Sequence, residues 1–487
     1  MATLKRNFFY SFFLTTSNYL MSLVVFPYVS RVLGPSNLGL VGYFEGTVGV
    51  FTLLATMGMN FLGIREISCT KSDPHKISTA YTSLLVLSGI FSLIAICGYL
   101  ITCIAIPTLR SHPIMITFGA LSILAQVFIM DWFYKGLENF KYITIRNLFV
   151  KAIYIVAVFL TVTDSDNYLI YFILIVATYT INSAINLIYS HKFTTFSLKG
   201  IKLRRYIKPY LSLGTYSLLS SLYITFNPMF LGIVTNDTQV GYYSVSVKVF
   251  MIILSSFTAL TAVLMPRMSV MLSNKETENF ISNTTRTINV FISLAIPISI
   301  LGLFYSPEIV RLISGDNYSG AVLPMQILMP LLFINGLGQI AIIQILMPMN
   351  LDRSIMRNSR IVGIVAILLN FLFVGSLGAI GSAIVWTLSE CILLILSMRV
   401  VYNATEIRIP WRQITYAIIS SMPCIAALYV ITEIQLNQWF QSLTGCLTFL
   451  LIYFIMQLFI IKNENIKFII RQISYRKTSA ASQSNNN

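Results

Sequence analysis

FPYVSRVLGPSNLGLVGYFE, residues 26–45, closes one apolar run, turns on a Gly-Pro pair and opens a second run. Arg31 and Glu45 flank the turn. A version of the stretch returns at residues 227–248 as NPMFLGIVTNDTQVGYYSVSVK. Pro27 matches Pro228 at an offset of 201 residues, and Gly39 matches Gly241 and Arg65 matches Arg267 at 202. Arg146-Asn147 matches Arg357-Asn358 at 211. Six apolar runs separate the members of each pair, so both copies start from the same side. The pattern predicts two six-helix lobes related by a parallel pseudo-two-fold, with two extra C-terminal helices outside the repeat.

Composition sets the solvent. Of 487 residues, 56% are hydrophobic and only 10% charged, against about 25% charged in soluble domains. Apolar runs recur at the length of about 20 residues that crosses a bilayer as a helix. An all-α polytopic membrane protein is expected, with about fourteen transmembrane helices. They run from roughly 8–29 and 38–60 to 440–461, with the fifth near 147–163 and the tenth, long enough to be tilted or broken, near 320–348. A β-barrel would show short alternating segments instead. The run from Phe8 to Val29 has no small-x-small cleavage site and reads as the first span, not a removed leader.

The expected organisation is a first lobe at 1–190, a basic linker at 191–209 and a second lobe at 210–402. The last two helices with a cytoplasmic extension follow at 403–477, and a polar, disordered tail at 478–487.

A net charge of +16 would suggest nucleic acid on a soluble chain. Here all 33 Lys and Arg except Arg31, Arg110, Arg311 and Lys248 fall on one side of the predicted spans. By the positive-inside rule that side is the cytoplasm, so both termini are expected there and no nucleic-acid partner is.

Nothing points to an enzyme. The three histidines lie in predicted loops, the six cysteines form no CxxC pair, and no HExxH, GxSxG or P-loop is present. No catalytic residue, metal or cofactor is expected.

The informative residues are charges inside apolar runs, each costing several kcal/mol unless paired or wet. Lys248 reads either as an outer snorkelling lysine or as a cation facing a central cavity. Arg31 and Glu45 are cavity candidates or each other's counter-ions. Asp131 and Lys135, four apart, share a helical face as an interfacial ion pair or as functional charges. Glu390, the deepest acid, reads as a proton or cation site or as a buried neutral carboxyl. Lys151, one turn inside the fifth span, reads as snorkelling. Asn18 and Gln126 offer polar contacts to a sugar, or glue between helices. Shielded lysine or arginine would suit a pyrophosphate.

FPYVSRVLGPSNLGLVGYFEG and DWFYKGLENFKYITIRNLFVK (Asp131–Lys151) resemble Wzx-type polysaccharide flippases. These belong to the multidrug/oligosaccharidyl-lipid/polysaccharide (MOP) exporter superfamily. The resemblance implies a bacterial inner-membrane protein that flips an undecaprenyl-pyrophosphate-linked oligosaccharide by alternating access, for O-antigen, capsule or exopolysaccharide synthesis. Its partners would be the lipid-linked oligosaccharide, membrane lipids and a polysaccharide polymerase complex. Carried onto this chain, Arg31 and Lys248 become the cavity cations. The last two helices form a lipid groove in some branches of such flippases. The alternatives are a cation-coupled drug or metabolite exporter of the same superfamily, resting on Glu45 and Glu390, and a membrane scaffold.

Overall fold

The computed structural model describes residues 2–70, 73–197, 200–433 and 438–460. The expected tail and most of the cytoplasmic extension lie outside the described residues, as do nearly all side chains before residue 23. The described residues are helical with no strand.

The quoted stretch lies in α1 (Ala2–Thr56), whose helical run is broken at Gly34. Gly34 has φ 72° and ψ 172°, a conformation side chains with a Cβ rarely adopt. Pro35 follows, with its φ already suited to starting a helix. The first two predicted spans are therefore the two halves of α1. α2 (Met59–Thr70) continues the second half after a break at Met57. α3 (Pro74–Ala105) starts on an Asp73 cap, whose carboxylate accepts from the backbone N–H of His75 at 3.0 Å and Lys76 at 3.3 Å.

α4 (Pro113–Phe128) and the short α5 (Asp131–Gly136) are separated by Met130 in the left-handed region. α6 (Phe140–Thr161) is capped by Asn139, and α7 (Tyr168–Ser190) follows. α8 (Leu203–Val234) and α9 (Asp237–Ser273) hold the second copy of the hairpin. α10 (Thr277–Phe304) and α11 (Ser306–Ser314) lead to the predicted tenth span. That span is broken, as expected from its length. Its two parts, Asp316–Leu328 and Leu331–Leu346, meet at 47° beside Pro330, which has no N–H to continue the ladder. α12 (Asp352–Leu377), α13 (Ala379–Thr405), α14 (Trp411–Thr432) and α15 (Gln438–Ile455) complete the chain.

Among the described residues ten helices are long and apolar enough to cross a membrane, or eleven if the bent pair is one span. α8 and α9, whose side chains are described only in part, stand outside that count. The protein is thus an all-α, multi-pass membrane protein. Its outer faces are apolar: Leu160 and Ile188 are 73% and 72% exposed, as suits contact with acyl chains.

Packing divides the chain into two compact units. One takes in residues up to Ser255, Val310–Pro324 and Met356–Ser389. The other takes in Ser256–Ile309, Met325–Ile355 and the described residues from Glu390 on. This division concerns packing and does not test the sequence repeat. The first unit has an aromatic core around Tyr81, Trp132, Phe133, Tyr134 and Tyr210. The second centres on Tyr305, Cys424, Leu428, Phe449 and Tyr453. There Gln413 donates to Ser293 Oγ at 2.7 Å, tying α14 to α10, and Gln457 donates to Ser420 Oγ at 3.0 Å, tying the C-terminal segment to α14, by polar contacts within the apolar region.

The second half of α1 packs antiparallel on α8 through a glycine face. A Cβ at Gly46 would stand 2.9 Å from the Cβ of Pro228, and one at Gly49 3.2 Å from Thr225 Cγ2. Gly39 closes against Asp237 and Gly241 at the far end. Small residues let the backbones approach where lipid gives helices no hydrophobic reason to associate. The quoted stretch and its repeat are therefore packed on each other.

Candidate functional site

An open cavity of about 190 Å³ lies within the first unit. Its wall includes Phe26 and Glu45 from α1, Lys151 and Tyr154 from α6, Tyr171 and Tyr179 from α7, and Lys248 from α9. Glu45 and Lys248 are both exposed, although they sit well inside apolar helices, because the cavity opens onto them.

Each element places its residues by simple periodicity. On α7, Tyr171, Ile175, Thr178 and Tyr179 fall at spacings of four, three and one, a single helical stripe. On α6, Lys151 and Tyr154 lie three apart, on one face. The Lys248 ammonium stands 5.7 Å from the centre of the Phe26 ring, a cation–π distance. Lys248 attracts Glu45 and repels Lys151, so the three charges act on one another. Tyr154 and Tyr171 share the cavity wall, and both feel Glu45. Two cations and one anion in a space walled from bulk water make a site that favours an anionic group, since charges interact more strongly there than in water.

A second cavity of about 240 Å³ adjoins the first, sharing Glu45, Ile175 and Tyr179 as lining residues. Its wall adds Thr52, Ser122, Gln126, Phe172 and Thr225. Gln126 Nε2 donates to Thr52 Oγ1 at 3.1 Å.

Of the residues singled out in the sequence, Lys248, Glu45 and Gln126 come together on these walls. Arg31 does not join them. Its guanidinium donates to the carbonyl of Leu312, in the last turn of α11, where a cation suits the helix dipole. Tyr318 OH donates to Ser30 O at 2.9 Å beside it. Among the described residues Arg31 and Glu45 form no ion pair; Glu45 faces Lys248 instead. Asp131 pairs not with Lys135 but with Arg146, at 2.9 Å. Glu390 is buried in α13 and lines neither cavity. The side chain of Asn18 lies outside the described residues.

Sequence reasoning placed Lys151 at a helix end; the structure places it near the middle of one. α6 begins at Phe140, not near 147. The signal was present in Asn139, a strong capping residue, whose side chain accepts from Tyr142 N. The polar run after it looked like loop because Arg146 was counted as solvent-facing, whereas Arg146 is 4% exposed.

The fold and site together define a class: a multi-pass α-helical membrane protein with a charge-lined cavity inside its spans. A family profile described as "Polysaccharide biosynthesis protein" matches residues 4–272. A protein of Escherichia coli (strain K12) named for O-antigen transport is 23% identical over 406 residues, covering 82% of this chain and 97% of that one. A Shigella flexneri protein named likewise is 23% identical over 383 residues, covering 74% and 88%. Among solved structures, lipid II flippase MurJ in an inward closed conformation superposes with a TM-score of 0.71 at 14% identity, covering 95% of this chain and 99% of that one. An inward-facing multidrug resistance MATE family transporter of the MOP superfamily superposes at 0.62 and 16% identity, covering 80% and 95%. At such identities the structural likeness speaks for the fold. The chain belongs to the polysaccharide biosynthesis protein family, and the expected resemblance to Wzx-type proteins is borne out.

Proposed function

We propose that this protein is a flippase. It carries an undecaprenyl-pyrophosphate-linked oligosaccharide across the bacterial inner membrane by alternating access, with both termini in the cytoplasm. The observation that carries the proposal is the Lys151–Lys248 pair on the wall of a cavity within the spans. Pyrophosphate brings several negative charges that apolar surroundings reject, and ammonium groups held nearby offset that cost. Lys151 takes the place that Arg31 held as partner to Lys248. The polyprenyl tail stays in the bilayer. The family membership and the names of the related proteins support the substrate class, and the one-sided cation distribution supports the orientation. The mutual packing of the two hairpins through Gly39, Gly46 and Gly49 supports a two-lobe arrangement that rocks about that contact.

The test is reconstitution. Liposomes holding the purified protein and a fluorescent undecaprenyl-pyrophosphate disaccharide are followed for transfer between leaflets. Wild-type protein should move the lipid well above the protein-free rate. Lys151→Ala/Lys248→Ala should lose on the order of 100-fold of that rate, two charge-assisted contacts at about 1.5 kcal/mol each. A folded double variant that flips at the wild-type rate would refute the cavity assignment.

A further inference from the structure

The two adjoining cavities differ in chemistry. The first holds the lysines. Among the described residues the second has no cation on its wall: its polar groups are the hydroxyls of Thr52, Ser122 and Thr225, the amide of Gln126 and the carboxylate of Glu45. The ring of Phe172 and the side chain of Tyr179 add aromatic surface. Gln126 gives one N–H to Thr52. Its carbonyl oxygen and second N–H then have a fixed orientation, and no hydrogen bond among the described residues takes them up. Amide, hydroxyls, one carboxylate and an aromatic wall are what a sugar ring uses, through its hydroxyls and its apolar face. Glu45, shared by both walls, stands where the bond between phosphate and first sugar would lie if the lysines hold the phosphate.

Resting on the flippase proposal, we infer that the second cavity is the subsite for the first sugar, and that it selects against an acidic one. Glu45 accepts hydroxyls from a neutral or N-acetylated sugar. A uronic acid would place a second carboxylate beside Glu45 with no lysine or arginine among the described residues of that wall to offset it. Lys151 and Lys248, engaged with pyrophosphate, are not free to do so. Gln126 and Thr52 position the ring, and Glu45 sets the discrimination.

Binding to purified protein in nanodiscs tests this with three probes: undecaprenyl pyrophosphate alone, the same lipid bearing one N-acetylhexosamine, and the same lipid bearing one hexuronic acid. Wild-type protein should bind the N-acetylhexosamine lipid at least ten-fold tighter than the hexuronic acid lipid. Glu45→Gln should bring that ratio within about three-fold. Gln126→Leu should cut the advantage of the N-acetylhexosamine lipid over the bare lipid by about ten-fold. If Gln126→Leu does not fold, Thr52→Val reads the same advantage. Equal binding of the two sugars by wild-type protein overturns the inference, as does a ratio untouched by Glu45→Gln. Its failure is separable from that of the parent proposal: bare undecaprenyl pyrophosphate bound by wild-type protein and lost in Lys151→Ala/Lys248→Ala keeps the flippase whatever the sugar ratios. A bare lipid that wild-type protein does not bind overturns both.

Discussion

α6 carries two cations five residues apart that live in different worlds. Arg146 is 4% exposed, pairs with Asp131 at 2.9 Å, donates to Asn147 Oδ1 at 3.1 Å and lies 5.8 Å from the Tyr142 ring centre. Lys151 lines an open cavity, with Lys248 on the same wall. Five residues turn a helix by about 500°, so the two point to different sides. Both are charges inside a membrane helix, and both would be flagged by the rule that such charges are functional. The comparison sharpens that rule. A charge enclosed with its counter-ion holds helices together; a charge on a cavity wall is placed to meet a ligand.

The largest effect should come from the enclosed pair. Arg146→Ala leaves Asp131 without its partner in the aromatic core, where breaking a buried pair costs about 3–5 kcal/mol. The protein should express poorly and melt far below wild type in a detergent thermal-shift measurement. Arg146→Lys should fall between, since it keeps the charge and loses the planar fork. An Arg146→Ala protein that melts like wild type would erase the distinction between the two cations.

Next come the open charges. Lys151→Ala/Lys248→Ala should melt near wild type, while binding of undecaprenyl pyrophosphate weakens on the order of 100-fold, or about 2.7 kcal/mol. The single variants should each lose less than half of that free energy. Each leaves one ammonium in place and relieves its repulsion, so the two effects are coupled.

How much of this the sequence disclosed depends on what each residue's fate rests upon. The membrane-spanning helical character and the Gly34 turn follow from hydropathy and backbone chemistry, which are local, and both were legible. Lys248 and Glu45 were legible as candidates because a lone charge in an apolar run is conspicuous. Lys151 was not, since its depth depends on where α6 begins, and that depends on Arg146 folding inward to meet Asp131. The tyrosine stripe of α7 was invisible for another reason. Tyr171 and Tyr179 differ from other aromatic residues only in which way their helix is turned, and tertiary packing decides that. Arg31 misled in the opposite sense: its partner is a backbone carbonyl at Leu312, 281 residues away in sequence.

A third variant tests the frame in which the comparison is held. Gly46→Ala places a Cβ 2.9 Å from Pro228 Cβ and 3.0 Å from the backbone nitrogen of Met229. The helices must move apart, at about 1–3 kcal/mol for overpacking. Thermal stability should drop modestly. Flipping should drop more than stability does if rocking runs through this contact. Equal losses would make the glycine face a packing feature only.

The smallest effect is expected at Lys135, which separates enclosed pairing from sequence spacing. Asp131 and Lys135 stand four apart in DWFYKG, the spacing that pairs charges on a helix surface. α5 has only six residues and starts immediately after the left-handed Met130, and Asp131 in its first turn is taken by Arg146 from α6. Lys135, half-buried in the last turn, forms no ion pair among the described residues. Lys135→Ala should therefore change the melting free energy by less than about 0.5 kcal/mol, as surface charge changes do, and leave Asp131 held by Arg146. A Lys135→Ala protein as unstable as Arg146→Ala would mean that Asp131 is shared between both cations, and that enclosure does not separate the structural charge from its neighbours.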